Sequence, residues 1–436
     1  MSIGRYQQYL EGVKLPRMFW ARQCFPNDHI AREEIAPQLT TQLSAGNIAS
    51  RVRPGMRIAI TAGSRGVDNI DEIIRTIVSF VRSRGAQPFI IPAMGSHGGA
   101  SAEGQREILA GYNITERTMG CPIVSEMDVR KIGVNEDGAA VYIDKNAAEA
   151  DGIIVCGRVK PHTCFRGAYE SGLMKMMAIG LGKQYGASVC HDEGFGRMAH
   201  NVLAFGKAIV KNAPVLFAVA TIENAYDQTC RLETVASEEI EAREPQLLEF
   251  ARGQMPKIYP ESCDLLVVDE IGKNYSGDGM DPNITGTFCT PYASGGVQAQ
   301  TVAVLDLSEQ THGNAIGIGM AHITTDRVFR KAVQDMYMPN CITCKVLTGG
   351  RMPMHVPSDR EAMEICLKVC AGNDSENPRV IRIANSLHIG CIQLSENYLP
   401  FVRAHPQMQA LTEPCELRFD SEGNLLDLGW EHPAVN

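Results

Sequence analysis

Polar side chains with catalytic capacity recur in this chain at glycine-rich turns that follow short apolar runs. MRIAITAG (56–63) is followed by Ser64-Arg65-Gly66, a glycine-flanked guanidinium suited to a two-pronged hydrogen bond with a carboxylate or phosphate. AQPFIIPAMG (86–95) runs into Gly95-Ser96-His97-Gly98-Gly99, which places an imidazole in a turn whose backbone, at Gly98, can approach a ligand closely. ADGIIVCGRV (150–159) leads to Lys160, Pro161 and His162. Lys175 stands in GLMKMMAIGLG, where loss of water favours the neutral, nucleophilic amine and makes it a candidate covalent anchor. His191 follows in CHDEGFG beside two carboxylates, and an imidazole oriented by a carboxylate is a common metal-ligand arrangement. CDLLVVDEIG (263–272) ends at Lys273-Asn274-Tyr275-Ser276-Gly277, which makes Lys273 a second candidate carboxylate binder. Each residue also has an ordinary reading: a surface loop arginine, a lysine snorkelling from a buried helix, a histidine beside acids on a surface.

The elements that must position these groups are legible as patterns. The five runs at 56–63, 86–95, 150–159, 213–222 and 263–272 are short, rich in Val and Ile, and mostly close on glycine or turn residues, as buried strands do. Between them, 69–85 and 101–112 carry apolar residues at helical spacing. Strand alternating with helix predicts α/β architecture with mainly parallel sheets and right-handed crossovers, whose ligands collect at the carboxyl ends of the strands. The charged, proline-containing segment 238–262 predicts a boundary, and further strand-like runs at 300–308, 378–386 and 391–395 make the second half α/β too. The expected organisation is an N-terminal α/β domain, 1–255, carrying most of the candidates, and a C-terminal α/β domain, 256–436, closing a cleft between them.

Composition narrows the function. Fifty acidic against 41 basic side chains give a formal charge of −9 with no basic block to follow a phosphate backbone, so nucleic acid is not the expected partner. The opening MSIGRYQQYLEGVKLPRMFW has no basic segment leading an apolar run, and no stretch reaches membrane-spanning length free of charge, so the expectation is a cytoplasmic protein without a membrane partner. The 14 cysteines are scattered and read as reduced, small hydrophobes; Cys341 and Cys344 form a lone CxxC without a second pair to complete a zinc site. A Walker loop, a GxSxG elbow and an HExxH helix are all missing. Histidines, lysines and an arginine at strand ends suit polar catalysis on a small anion.

GSHGG, then VKPH, then the lysine of GLMKMMAIGLG and a histidine sixteen residues after it resemble, in order and spacing, the nickel-pincer lactate racemase family. Ser64-Arg65 resembles that family's first phosphate and substrate loop, and Glu270 to Lys273 resembles its Gln-x-x-Lys pair. The resemblance implies an isomerase that inverts the carbinol carbon of a 2-hydroxy acid by reversible hydride transfer. It implies a nickel-pincer nucleotide (pyridinium-3-thioamide-5-thiocarboxylic acid mononucleotide with Ni) joined to Lys175, loaded by cofactor-assembly enzymes, with His191 as nickel ligand; soft sulfur donors in a square plane suit Ni(II). His97 and His162 are then the paired general acid/bases, since return of hydride to either face needs a proton donor on each side. Arg65 and Lys273 would hold the carboxylate and stabilise charge on oxygen, and Ser64, Arg65 and Gly98 would border the cofactor.

The chain departs from the family pattern. Ala62 replaces an aspartate, Glu270 a glutamine, and a longer interval between His162 and Lys175 adds Arg166, Tyr169 and Glu170 as candidate pocket residues for a larger or more polar acid. His200 is a rival for the nickel position at worse spacing, and His322, His355 and His388 stand in turn-like or strand-end settings, either closing over substrate or satisfied structurally. Three other classes remain. A nicotinamide dehydrogenase lacks a GxGxxG turn after the first strand; a zinc hydrolase or lyase using His97, His162 and His191 leaves Lys175 unexplained; a non-catalytic binding protein for a small acid or the cofactor would hold ligand without turnover.

Overall fold

The computed structural model describes residues 6–64 and 66–426. The chain forms two compact units, Pro26–Met255 and a second made of Met1–Phe25 with Pro256–Asn436. Strands in chain order are β1 (Met18–Gln23), β2 (Arg57–Ala62), β3 (Gln87–Pro92), β4 (Val129–Val134), β5 (Ala140–Asp144), β6 (Gly152–Arg158), β7 (Val215–Glu223) and β8 (Thr229–Ala236). They continue as β9 (Ser262–Ile271), β10 (Gln298–Leu307), β11 (Ile323–Thr325), β12 (Met354–Val356), β13 (Val380–Ile383), β14 (Cys391–Ser395) and β15 (Met408–Ala410).

In the unit Pro26–Met255 five strands form a sheet in the order β3-β2-β6-β7-β8, the first four parallel and β8 antiparallel to β7. β2 and β6 are buried almost throughout, the signature of parallel strands covered on both faces. The helix Ile70–Ser83 turns Ile73, Ile74, Ile77, Val78 and Val81 onto this sheet at helical spacing. With Ile35, Leu39 and Leu43 of the helix Arg32–Leu43 they form the main core, each such side chain contributing about 1.5–3 kcal/mol by burial. Gly152 opens β6 because a Cβ there would fall 2.5 Å from Leu216 and 2.8 Å from Ile58. β4 and β5 pair as a separate hairpin.

The second unit holds an eight-stranded sheet, β12-β11-β10-β9-β13-β14-β1-β15, parallel from β12 to β13 and antiparallel beyond. Here the expected domain assignment needs correction. The units part between Met255 and Pro256, but Met1–Phe25 belongs with the C-terminal unit, not the N-terminal one. β1 supplies the strand between β14 and β15, with Phe19 and Ala21 fully buried. Its hydrogen-bond partners are some 370 residues away in sequence, as in Met18 opposite Ser395. Among the described residues no helix is long and apolar enough to cross a membrane.

Candidate active site

β2 lies between β3 and β6, the point at which strand order reverses, so the loops after these three strands border one crevice. Ser64 follows β2, His97 follows β3 and His162 follows β6, as the strand-end reading expects. Ser64 Oγ hydrogen-bonds His97 Nδ1, and Tyr112 donates its hydroxyl to the Ser64 carbonyl at 2.9 Å. Arg65 lies outside the described residues. The chain beyond it is fastened to the sheet: Arg158, the last residue of β6, pairs with Glu223 and reaches the Gly66 carbonyl, and Glu223 accepts the Asp68 N–H at 2.8 Å. His97 is exposed, but its backbone is held from below by Gln105, whose Nε2 donates to the carbonyls of Gly95 (2.9 Å) and His97 (3.2 Å). Gly98 has φ +66°, and a Cβ there would lie 2.6 Å from the Gly104 carbonyl carbon, so its glycine is required by packing on the following helix.

His162 is half-buried and packed against Phe165 (4.4 Å between ring centroids) and Phe195 (6.1 Å). The N–H of Cys164 donates to its Nδ1 at 3.0 Å, so the neutral ring carries its proton on Nε2. Burial first, then the positive charge of Lys175, His191, Arg166 and Lys160, push its proton affinity well below that of an ordinary imidazole. The loop is held by Glu170, which is fully buried: it accepts the His162 N–H at 2.7 Å and the Gly167 N–H at 3.1 Å and pairs with Arg252 at 2.7 Å and Arg166 at 3.5 Å. Tyr169 is buried and donates to the Glu241 carbonyl at 2.6 Å. Tyr169 and Glu170 are therefore committed to building the loop, while Arg166, half-buried, bonds the His162 carbonyl within it.

Lys175 and His191 stand on consecutive helical segments: Leu173–Lys175, a wide π-type turn Met176–Leu181 and, after a left-handed break at Lys183, the helix Lys183–His191. Such turns often mark functional sites. This one lies over the strand ends because glycines make room. A Cβ at Gly63 would come 3.1 Å from Met176 Cε, one at Gly157 3.3 Å from the same atom, and one at Gly180 2.7 Å from the Ala93 carbonyl. Lys175 is half-buried between fully enclosed Leu173, Met174, Met177 and Ala178, and its charge reaches His162 and Cys190. His191 donates from Nδ1 to the Ala187 carbonyl at 2.7 Å, which leaves the lone pair on Nε2, the form a metal ligand needs. The group that orients Nδ1 is thus a backbone carbonyl; the neighbouring Asp192 and Glu193 are exposed. Phe195 contacts both His191 (5.8 Å) and His162, so the two imidazoles share one phenyl ring.

Residues 17–197 match the lactate racemase N-terminal domain. The matched stretch contains Ser64, His97, His162, Lys175 and His191, and it supports the resemblance to the lactate racemase family. The chain is also similar to the solved lactate racemase apoprotein from Thermoanaerobacterium thermosaccharolyticum, at a TM-score of 0.49 and 13% identity over 84% of this chain and 94% of that one. Among curated proteins none matches this sequence.

Beyond the stretch that matches the lactate racemase N-terminal domain, Lys273 belongs to the second unit, in the turn after β9, where strand order again reverses. Its Nζ donates to Asn340 Oδ1 at 3.2 Å. Glu270, at the end of the same strand, accepts the hydroxyl of Tyr275, whose ring stands 6.1 Å from that of His388. Ala62 is buried in β2. Three of the other histidines have hydrogen-bond partners: His200 with Asp137 (2.7 Å), His355 with Asp326 (2.6 Å), and His322, whose Nδ1 accepts the Val302 N–H at 3.0 Å. The 14 cysteines are free thiols, and among the described residues no three His, Cys, Asp or Glu side chains are grouped to hold a metal. Sequence reasoning named Glu170 but not its partner Arg252, and it missed Phe165, Phe195, Gln105, Lys183 and Glu244; of these only the aromatic pair, set near His162 and His191 in sequence, offered a signal.

Proposed function

We propose that this protein is an isomerase that inverts the carbinol carbon of a small 2-hydroxy acid, using a nickel-pincer nucleotide joined to Lys175 and held at nickel by His191. One observation carries the reading: His162 and His191 both pack against Phe195, inside the stretch that matches the lactate racemase N-terminal domain and also holds Lys175. The residues fit the group. His191 has its Nε2 lone pair set aside by the bond to Ala187, and Lys175 is a half-buried amine among apolar neighbours. When bound, the group supplies the acceptor for the hydride that leaves the carbinol carbon.

The chain's own residues manage protons and charge. His97, steadied at Nδ1 by Ser64, takes the hydroxyl proton at Nε2 when Nδ1 donates to the serine oxygen. His162, neutral before substrate binds because of its low proton affinity, donates its Nε2–H as a hydrogen bond to the substrate oxygen from the other side, and to deliver that proton it must first take one up at Nδ1. To act as a base in its turn, His162 has to give up the Cys164 N–H at Nδ1 or turn its ring. Arg65 binds the carboxylate, and loading depends on cofactor-assembly enzymes.

Protein co-expressed with those enzymes, supplied with single enantiomers of 2-hydroxy acids deuterated at the carbinol carbon, tests the reaction. Formation of the mirror-image acid with deuterium retained supports hydride transfer. Exchange of deuterium for solvent hydrogen would replace it with proton abstraction, and no inversion of any acid by fully loaded protein would overturn the reading.

A further inference from the structure

Lys183 is a fully buried ammonium that the proposed chemistry does not use. It occupies the left-handed region, φ +53°, where a lysine is strained and glycine or asparagine would be easier. Its side chain makes up for that position. Nζ donates to the Pro92 carbonyl at the end of β3 (2.7 Å), faces the Asp144 carboxylate at 3.1 Å and donates to Gln105 Oε1 at 3.4 Å. Gln105 is fully buried as well, and its amide nitrogen donates to the carbonyls of Gly95 and His97. The lysine and the two carbonyls together decide which way the amide points. Flipped, the amide would set its NH2 against NH3+ and its oxygen against two carbonyl oxygens. Lys183 also begins the helix that ends at His191.

We propose that Lys183 is a positioning residue: through Gln105 it fixes the turn that carries His97, and through its own helix it ties that turn to His191, so that two halves of the site keep one geometry. Asp144 balances the buried charge and caps the helix Lys145–Ala148 by accepting the Ala147 N–H at 3.0 Å. The importance of this pin for turnover rests on the racemase reading; the pin itself does not.

The test uses the full apo chain with nitrogen-15 histidine, reading imidazole tautomers by long-range proton–nitrogen spectra, with His97 assigned through His97→Gln. Gln105→Leu and Gln105→Glu should shift or broaden the His97 ring signals and leave those of His162 in place. The double variant Lys183→Met with Asp144→Leu, which leaves no lone buried charge, should move both His97 and His191; Lys183→Arg should restore them in part. In loaded protein the Gln105 variants should lose roughly tenfold to a hundredfold in kcat with little change in KM. If His97 keeps its wild-type signals in folded Gln105 variants, the inference is overturned, and those variants decide the matter even where the double variant does not fold. Failure of the racemase reading would show separately, as loaded wild-type protein without inversion but with the His97 signals still dependent on Gln105.

Discussion

Glu244 offers a prediction whose size follows from its surroundings. It lies in the helix Ile240–Gln254, is 1% exposed, and accepts the Met174 N–H at 2.8 Å where the Lys175 helix begins. Gly172 is required there, since a Cβ would fall 2.1 Å from Glu244 Oε1. Burial raises the carboxyl from 4.5 to about 8, outweighing the amides of Met174 and Leu173 that favour its charged form. Between those values the unfolded chain has released the proton while the folded chain keeps it. Folded stability therefore falls as pH rises through this window, and the neutral-acid contribution is lost above about 8. The full excursion corresponds to about 5 kcal/mol as an upper figure. Glu244→Gln keeps the acceptor and cannot titrate. Its stability relative to wild type should be close to even or lower near about pH 5 and higher by several kcal/mol near about pH 9. Because two units need not unfold together, hydrogen exchange at the Leu173 and Met174 amides is the local readout, alongside the infrared carbonyl band of a protonated carboxyl. A wild-type-to-Gln difference independent of pH, or no protonated-carboxyl band near neutrality, would refute the reasoning.

Three other predictions follow from the same packing. Glu170→Ala leaves Arg252 and Arg166 without their buried carboxylate and should cost about 3–5 kcal/mol in urea denaturation while abolishing activity through His162; unchanged stability would contradict the role given to that residue. Phe195→Ala should cost about 3–5 kcal/mol and loosen both imidazoles, seen as broadened His162 and His191 ring signals. His162 should remain a neutral Nε2–H tautomer by nitrogen-15 shift at its ordinary titration value of 6.5, and imidazolium there would refute the shielding assigned to its burial and its cationic neighbours.

Much of the sheet framework was legible because parallel strands buried on both faces read as continuous apolar runs; β2, β3, β6, β7 and β9 all sit where such runs occur. β1 was not, since what makes MFWARQ a strand is the edge offered by β14 and β15 near the other end of the chain. The β4–β5 hairpin was hidden for a different reason: Val129–Val134 is largely solvated and shows no apolar alternation. In the candidate site, His97, His162, Lys175 and His191 were legible from turn glycines and apolar flanks. Their supports were not. That Glu170 folds inward is decided by Arg252, 82 residues on, and the burial of Lys183 depends on Asp144, Gln105 and Pro92, none of them neighbours in sequence. Such pairings carry no local pattern; they appear only when packing brings the charges together.

The attachment of the cofactor is the most direct test of the central claim. Intact-protein mass and nickel content would be measured on protein co-expressed with the assembly enzymes, for wild type, Lys175→Ala and His191→Ala. The expected result is a mass increment on wild type that is lost in Lys175→Ala, with nickel lost or weakened in His191→Ala while the increment stays. Wild-type protein carrying neither increment nor nickel, under conditions that load a lactate racemase, would contradict it.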